Sequence, residues 1–205
     1  MNAFKNIAAV ILAAGRSSRM GQFKPLAPMG PERVIERVIG LFREAGVSDI
    51  LVVTGHEADR LLPVLEMRGV RAAMNPVWQH GMFSSVQAGV GRLDAACRAF
   101  FLMPADMPLV RPETVRVLLG AFERGGMDVY RPCYQGKRGH PPLISAALIQ
   151  PILTFAEPGG LRVLLARYRQ RSADVACDDP GILIDLDAPE DLHKAAISNA
   201  PPEPG

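Results

Sequence analysis

The sequence predicts a three-layer α/β/α, Rossmann-like fold built on a mostly parallel sheet. Short, wholly apolar runs of strand length recur along the chain, and segments with apolar residues at helical spacing alternate with them. A third observation concerns punctuation: Gly15, Gly55, Asn75 and Asp106 each stand just after one of these runs. Strands that are apolar on both faces need helices on both sides of the sheet. Right-handed crossovers then gather the loops that follow the strands along one sheet edge, which is where a site should form.

The first strand is IAAVILAAG, ending at Gly15. Pro31 then opens a helical stretch with Val34, Ile35, Val38, Ile39 and Phe42 on one face, and Gly46 stands where a glycine just past the C-terminus ends a helix. The second strand, Ile50 to Thr54, leads to Gly55 and a helix from near Glu57, which Pro63 is expected to kink or divide. A third strand, Val70 to Met74, runs into Asn75-Pro76, and Ser84 to Ala95 reads as a helix despite its glycines. The fourth, Ala99 to Met103, leads to Pro104-Ala105-Asp106. Pro112 starts a helix with Val115, Leu118, Leu119 and Phe122 on one face. A strand from Asp128 to Arg131 precedes the polar turn GKRGHPP, and helical segments follow around 146–155 and 160–170. Two short apolar strands are expected around Asp178-Asp179-Pro180-Gly181, and a last helix near Pro189. Residues 1–198 read as a single domain, with 199–205, NAPPEPG, as a disordered tail.

Composition narrows the functional classes. Of the 205 residues 48% are hydrophobic and 21% charged, and the net charge of +2 is too small for the basic stripe of a nucleic-acid binder. Cys97, Cys133 and Cys177 are scattered and odd in number, which fits a reducing compartment and no disulfide framework. The four histidines are equally dispersed, so zinc is not indicated. Lys5 and the run Ile7 to Ala14 superficially match a secretory signal, but the run continues into a glycine-rich basic segment and reads as a buried strand. No stretch reaches membrane-spanning length. The expectation is a soluble, cytoplasmic protein with neither nucleic acid nor membrane as partner.

The chemistry concentrates in LAAGRSSRMGQFK, residues 12 to 24. Gly15 lets the backbone approach a ligand, and the loop adds amide donors, Ser17, Ser18, Arg16, Arg19, Lys24 and Gly21. Such a loop suits phosphate oxygens, and Arg19 and Lys24 suit charge developing on a leaving pyrophosphate. By charge alone the segment is equally a turn with a solvated basic face; its place after the first strand favours the phosphate reading. It is neither G-x-x-x-x-G-K-[ST] nor G-x-G-x-x-G, since Ser17 takes the second glycine position of the latter. Asp106, at the end of an apolar strand, offers a hard oxygen ligand to magnesium or caps the following turn. Neither G-x-S-x-G nor a spacing-matched histidine suggests a covalent nucleophile.

The segment LAAG-x-S-x-RMG-x-x-K resembles the signature of the nucleotidyltransferases that activate molybdenum cofactor and sugar phosphates. VVTGH (52–56), NPVWQHGMFSSV (75–86), LMPADMPLV (102–110), KRGHPPLI (137–144) and LIDLDAPEDL (183–192) follow in that family's order, and together most resemble its molybdenum cofactor cytidylyltransferase group. The resemblance implies a three-layer α/β/α Rossmann-like nucleotidyltransferase. It implies nucleotide binding by Leu12, Ala13, Ala14, Gly15, Ser17, Gly55, Asn75, Ser84 and Ser85, and catalysis by Arg19, Lys24 and Asp106. It further implies Mg2+ held by Asp106 and Asp187, with Asp185 nearby, and an acceptor met by Arg138 and His140.

Blander roles stand beside several of these. Asp187 also suits a helix cap before Pro189, Asn75 and residues 81–85 an ordinary turn and cap, and His140 a turn histidine packed on prolines. The sequence departs from the family at Ala188, where threonine is usual, and at Pro158 in EPGGLR.

The implied reaction moves CMP from CTP to the terminal phosphate of molybdopterin, releasing pyrophosphate, with a molybdoenzyme as a further partner for the product. A phosphomonoester with its second pKa near about 6 is already anionic at neutral pH and needs no general base. Ala14 stands where GTP-using relatives carry a glycine, which leans toward a pyrimidine. The alternatives are a nucleotidyltransferase using GTP or another phosphorylated acceptor, a non-catalytic carrier of the cofactor, and a nicotinamide oxidoreductase on a similar fold. Ser17 and the cationic loop disfavour the last.

Overall fold

The computed structural model describes residues 6–16 and 23–186. The chain opens with strand β1 (Ile7–Leu12) and, after residue 23, a 3₁₀ turn at Lys24–Leu26. There follow β2 (Pro28–Met29), β3 (Glu32–Arg33), α1 (Val34–Glu44), β4 (Asp49–Thr54), α2 (Ala58–Met67) and β5 (Arg71–Met74). Then come a 3₁₀ turn at Trp78–His80, α3 (Met82–Val90), β6 (Ala99–Pro104), α4 (Pro112–Arg124), β7 (Val129–Tyr134), β8 (Lys137–Arg138) and β9 (Leu143–Ser145). The last described elements are α5 (Ile149–Thr154), α6 (Gly160–Arg167), β10 (Ser172–Ala176) and a 3₁₀ turn at Pro180–Leu183.

The main sheet runs β10-β7-β9-β6-β1-β4-β5, with β8 paired to β7. Its contacts are parallel except where β9 lies between β6 and β7 and where β8 folds back on β7. The α/β/α expectation therefore holds, and the pleat explains it. Along β1, Ile7, Ala9 and Ile11 enter the core beneath α1, α2 and α4, while Ala8 and Val10 enter the core beneath α3, α5 and α6. Strand β6 alternates likewise, with Phe101 and Met103 on the first side and Phe100 and Leu102 on the second. Burying each Phe or Leu of this kind contributes about 1.5–3 kcal/mol. Helix α3 lies so close to the sheet that a Cβ at Gly89 would come within 2.5 Å of Val10 Cγ1 and 2.7 Å of Val53 Cγ2.

Several expected boundaries move for identifiable reasons. The helix expected from Pro31 begins at Val34, because a β2–β3 hairpin turning at Gly30 (φ 65°) precedes it and Glu36 caps its start by accepting Arg33 N–H at 2.8 Å. Pro63 does not divide α2; its site is exposed, so the Asp59 carbonyl it leaves without a helical donor can face water. The helix expected at 84–95 is α3, ending at Val90. In GKRGHPP the chain forms a hairpin, β7 to β8, with Gln135 (φ 48°) and Gly136 (φ 77°) at its tip, a conformation typical of tight two-residue loops. Among the described residues no strand follows Asp178-Asp179-Pro180-Gly181: Asp179 accepts from Gly181 N–H at 2.9 Å and caps a 3₁₀ turn instead. The helix expected near Pro189 and the 199–205 tail lie outside the described residues. Among the described residues no helix is long and apolar enough to cross a membrane.

Candidate active site

The C-terminal ends of β1 and β6 and the segment that follows β5 line a cavity of about 520 Å³. Its lining includes Leu12 through Arg16 after β1, Lys24 and Pro25, residues 78–79, 81–82 and 85 after β5, and Pro104 to Asp106 after β6. Backbone hydrogen bonds lock these ends together. Ala13 N–H donates to Val53 O at 2.9 Å, His56 N–H to Ala14 O at 3.1 Å, and Ala105 N–H to Leu12 O at 3.0 Å. Gly55 is the packing point: a Cβ there would lie 2.8 Å from both Ala14 Cβ and Trp78 Cβ. It shapes the wall without lining the cavity itself.

Lys24 is buried in its 3₁₀ turn and carries its ammonium to 3.5 Å from Asp106 Oδ2. The Asp106 carboxylate keeps about a third of its surface open to solvent (31%), so it can still be reached by a ligand. The Asp106 carbonyl accepts from Leu186 N–H at 2.8 Å, which brings the segment bearing Asp185 against the β6 loop.

Asn75 is buried and fully engaged. Its Nδ2 donates to Ser84 Oγ and Ser85 Oγ, each at 2.9 Å, and its Oδ1 accepts from Val77 N–H at 3.1 Å. Ser85 lines the cavity; Asn75 and Ser84 hold the wall behind it. The α3 helix starts at Gly81, whose φ of 96° suits glycine.

Two residues expected to meet the acceptor lie apart from the cavity lining. Arg138 is exposed on β8 and paired with Asp174, Nη2 to Oδ2 at 2.8 Å. His140 follows it, its N–H donating to Ile182 O at 3.0 Å. Burial pushes its imidazole pKa down, against the Leu102 carbonyl and the charges of Asp106 and Asp185, which favour protonation. Its Nδ1 is buried with no hydrogen-bond partner among the described residues. Ser17, Arg19 and Asp187 lie outside the described residues.

Arg16, Gly81 and Met82 join the lining from loops the sequence pointed to, while Pro25, Trp78, Gln79, Pro104 and Ala105 join it with no role expected of them individually. A lone tryptophan in the loop after the third strand was the available signal for Trp78. Arg16 differs little from Arg19 in the same loop until its partner is known, and that partner is the Trp78 ring, 5.6 Å from Arg16 Cζ.

Comparison with known proteins follows the same outline. The family model described as MobA-like NTP transferase domain matches residues 9–173. Phosphoenolpyruvate guanylyltransferase of Rubrobacter xylanophilus is 31% identical over 90% of this chain and 89% of its own. Molybdenum cofactor cytidylyltransferase of Escherichia coli is 26% identical over 91% of this chain and 93% of its own. The bifunctional protein GlmU of Sorangium cellulosum is 32% identical over 58% of this chain but only 27% of its own, so the match spans about a quarter of that relative. Among solved structures, a nucleotidyl transferase from Methanothermobacter superposes with a TM-score of 0.80 at 26% identity, covering 95% of this chain and 98% of that one.

Proposed function

The chain belongs to the MobA-like NTP transferase family and is a nucleotidyltransferase, and on that premise we propose that it transfers CMP from CTP to the terminal phosphate of a molybdopterin-type acceptor. The observation that carries this reading is the Lys24–Asp106 pair set into a cavity at the strand ends, with Arg16 in the same lining. A buried ammonium and a part-open carboxylate side by side suit a triphosphate: the cation meets phosphate oxygens and the carboxylate meets a hard metal ion.

The donor chemistry fits a divalent cation. Asp106 supplies one carboxylate, the Leu186 N–H to Asp106 O contact brings the segment bearing Asp185 toward it, and Asp187 is the next acid in the sequence. Magnesium takes one or two carboxylates and completes its shell with phosphate oxygens and water. Asp106 and Asp187 would hold it, and it would neutralise charge on the reacting phosphates.

The residues then have little covalent chemistry to perform. An oxygen of the acceptor phosphate attacks the α-phosphorus of CTP, a new P–O bond forms, and the bond to the β-phosphate oxygen breaks to release pyrophosphate. Lys24, with Arg19 from the same loop, steadies the departing charge, while the cavity walls hold donor and acceptor in line. Arg138 and His140 serve the acceptor side in this reading.

Pyrophosphate release from CTP, GTP and ATP in turn, with magnesium, with and without molybdenum-loaded molybdopterin, tests the proposal. Acceptor-dependent release with CTP is expected. Release with GTP alone would keep the chemistry and overturn the choice of base, and acceptor-independent nucleotide binding without release would favour a carrier of the mature cofactor.

A further inference from the structure

Trp78 is the one tryptophan in the sequence, and nothing above gives it a task. Its place is tightly fixed. Gly55 leaves no room for a Cβ between Trp78 Cβ and Ala14 Cβ, and the Trp78 carbonyl accepts from Gly81 N–H at 3.1 Å. His56 lies against the indole at a centroid distance of 5.2 Å, tilted by 51°, and Phe23 meets His56 edge-on at 6.4 Å. The Arg16 guanidinium lies over the same indole, and both residues line the cavity.

A guanidinium is a planar, delocalised cation that stacks on aromatic rings, so this indole presents a surface suited to a flat polar group. A nucleobase is such a group, and stacking on an aromatic side chain is tolerant of base identity because every base has a π-face. A ring seated on Trp78 would lie in the same cavity as Lys24 and Asp106.

Resting on the nucleotidyltransferase reading, we propose that Trp78 is the stacking platform for the nucleobase, and that Arg16 exchanges the indole for the triphosphate as the base arrives. Base and guanidinium cannot cover one face together. The charge that leaves the indole is released beside the phosphates, where charge-assisted hydrogen bonds replace the cation–π contact. The platform adds affinity without selecting a base. Selection falls to groups that can read a base edge, and Gln79 and Ser85 in the same lining carry donors and acceptors for it.

Calorimetric affinities for CTP and tripolyphosphate on wild type, Trp78→Leu, Trp78→Phe and Arg16→Ala test this, together with cytidine binding read from quenching of Trp78 in wild type and Arg16→Ala, which keep the indole. Trp78→Leu should weaken CTP roughly tenfold while tripolyphosphate changes by less than about twofold, and Trp78→Phe should restore most of the loss. Arg16→Ala should weaken CTP and tripolyphosphate but strengthen cytidine, because the freed face no longer has to shed a cation. Trp78→Leu with unchanged CTP affinity, or with an equal loss of tripolyphosphate, overturns the platform. Weaker cytidine binding in Arg16→Ala overturns the exchange. A wild type that binds none of CTP, GTP and ATP would overturn the nucleotidyltransfer reading first; normal wild-type binding with an indifferent Trp78→Leu overturns only the platform.

Discussion

Lys24 Nζ lies 3.5 Å from Asp106 Oδ2, joining residues 82 positions apart in the sequence. The lysine side chain is 11% exposed and the aspartate side chain 31%. That asymmetry matters. Removing a charge from water is costly, so a cation buried this far is kept there only with good partners, while the more open carboxylate stays within reach of a ligand. The pair is built from the loop after β1 and the loop after β6, neighbouring parallel strands held in register from Ile7↔Ala99 to Leu12↔Pro104.

Replacing Lys24 by Met, which keeps much of its length and removes its charge, should lower kcat by about 10²–10³-fold if it stabilises the leaving pyrophosphate. Thermal unfolding should move by only a few degrees, since the apolar stem still packs. Steady-state kinetics beside a melting curve checks this. A near-wild-type kcat would remove Lys24 from the leaving-group role.

Much of this arrangement was legible in the sequence because it follows from periodicity. Strands β1 and β6 are apolar at every position, so two helical layers had to cover them, and crossover handedness then put Gly15, Gly55, Asn75 and Asp106 on one edge. What periodicity does not carry is contact between segments. Nothing in NPVWQHG says that Trp78 will meet Arg16, and nothing in RGH says that Arg138 will pair with Asp174 across the β8–β7–β10 edge. The strand expected after Gly181 failed for a related reason. Its apolar residues Ile182 and Leu183 are real, but Asp179 captures the backbone first, accepting from Gly181 N–H, Arg111 N–H and Thr114 Oγ1.

Gly55→Ala should damage stability and site together. Its new Cβ would sit 2.8 Å from the Cβ atoms of Ala14 and Trp78, contacts that real structures relieve by moving backbone. Overpacking of this kind costs roughly 1–3 kcal/mol. The relief must open the β1 loop away from Trp78, so KM for the nucleotide should rise along with the loss in Tm. A lowered Tm with unchanged KM would mean that the strain is absorbed elsewhere.

The edge of the sheet carries a pH dependence of definite sign. The Arg171 guanidinium hydrogen-bonds the Asp128 carboxylate, Nη2 to Oδ1 at 2.9 Å, and this holds its pKa below the ordinary 3.8 despite the opposing effect of burial. A carboxylate with a depressed folded-state pKa contributes stability above its unfolded value and loses it as pH falls through the folded value. Asp128→Asn should therefore destabilise at neutral pH and matter progressively less as the pH drops below 3.8. Arg171 is mostly exposed, so solvent screening keeps the effect small. Urea unfolding of both proteins across that range checks it, and a gap that widened toward acid would reverse the assignment.

Asn75 offers the clearest separation of scaffolding from ligand contact. It is 1% exposed, both amide hydrogens go to the hydroxyls of Ser84 and Ser85, and its oxygen takes Val77 N–H. Its own backbone N–H donates to Thr54 O at 2.8 Å, so the side chain ties the ends of β4 and β5 to the first turn of α3. Asn75→Ala leaves Val77 N–H without that acceptor, a loss of about 1–3 kcal/mol. For a chain of this size that is roughly 2–12 °C in Tm. Because Ser85 and Trp78 sit on the wall it braces, KM for nucleotide should rise while kcat at saturation stays nearer to wild type. Ser84→Ala, outside the cavity lining, removes one of the three Asn75 side-chain bonds together with the Ser84 hydroxyl's own contacts to Gly81 O and Val77 O, and should show a loss of Tm with little change in KM. Should Asn75→Ala keep its Tm within about 1 °C and still lose nucleotide affinity, the side chain would be touching the ligand rather than holding the wall.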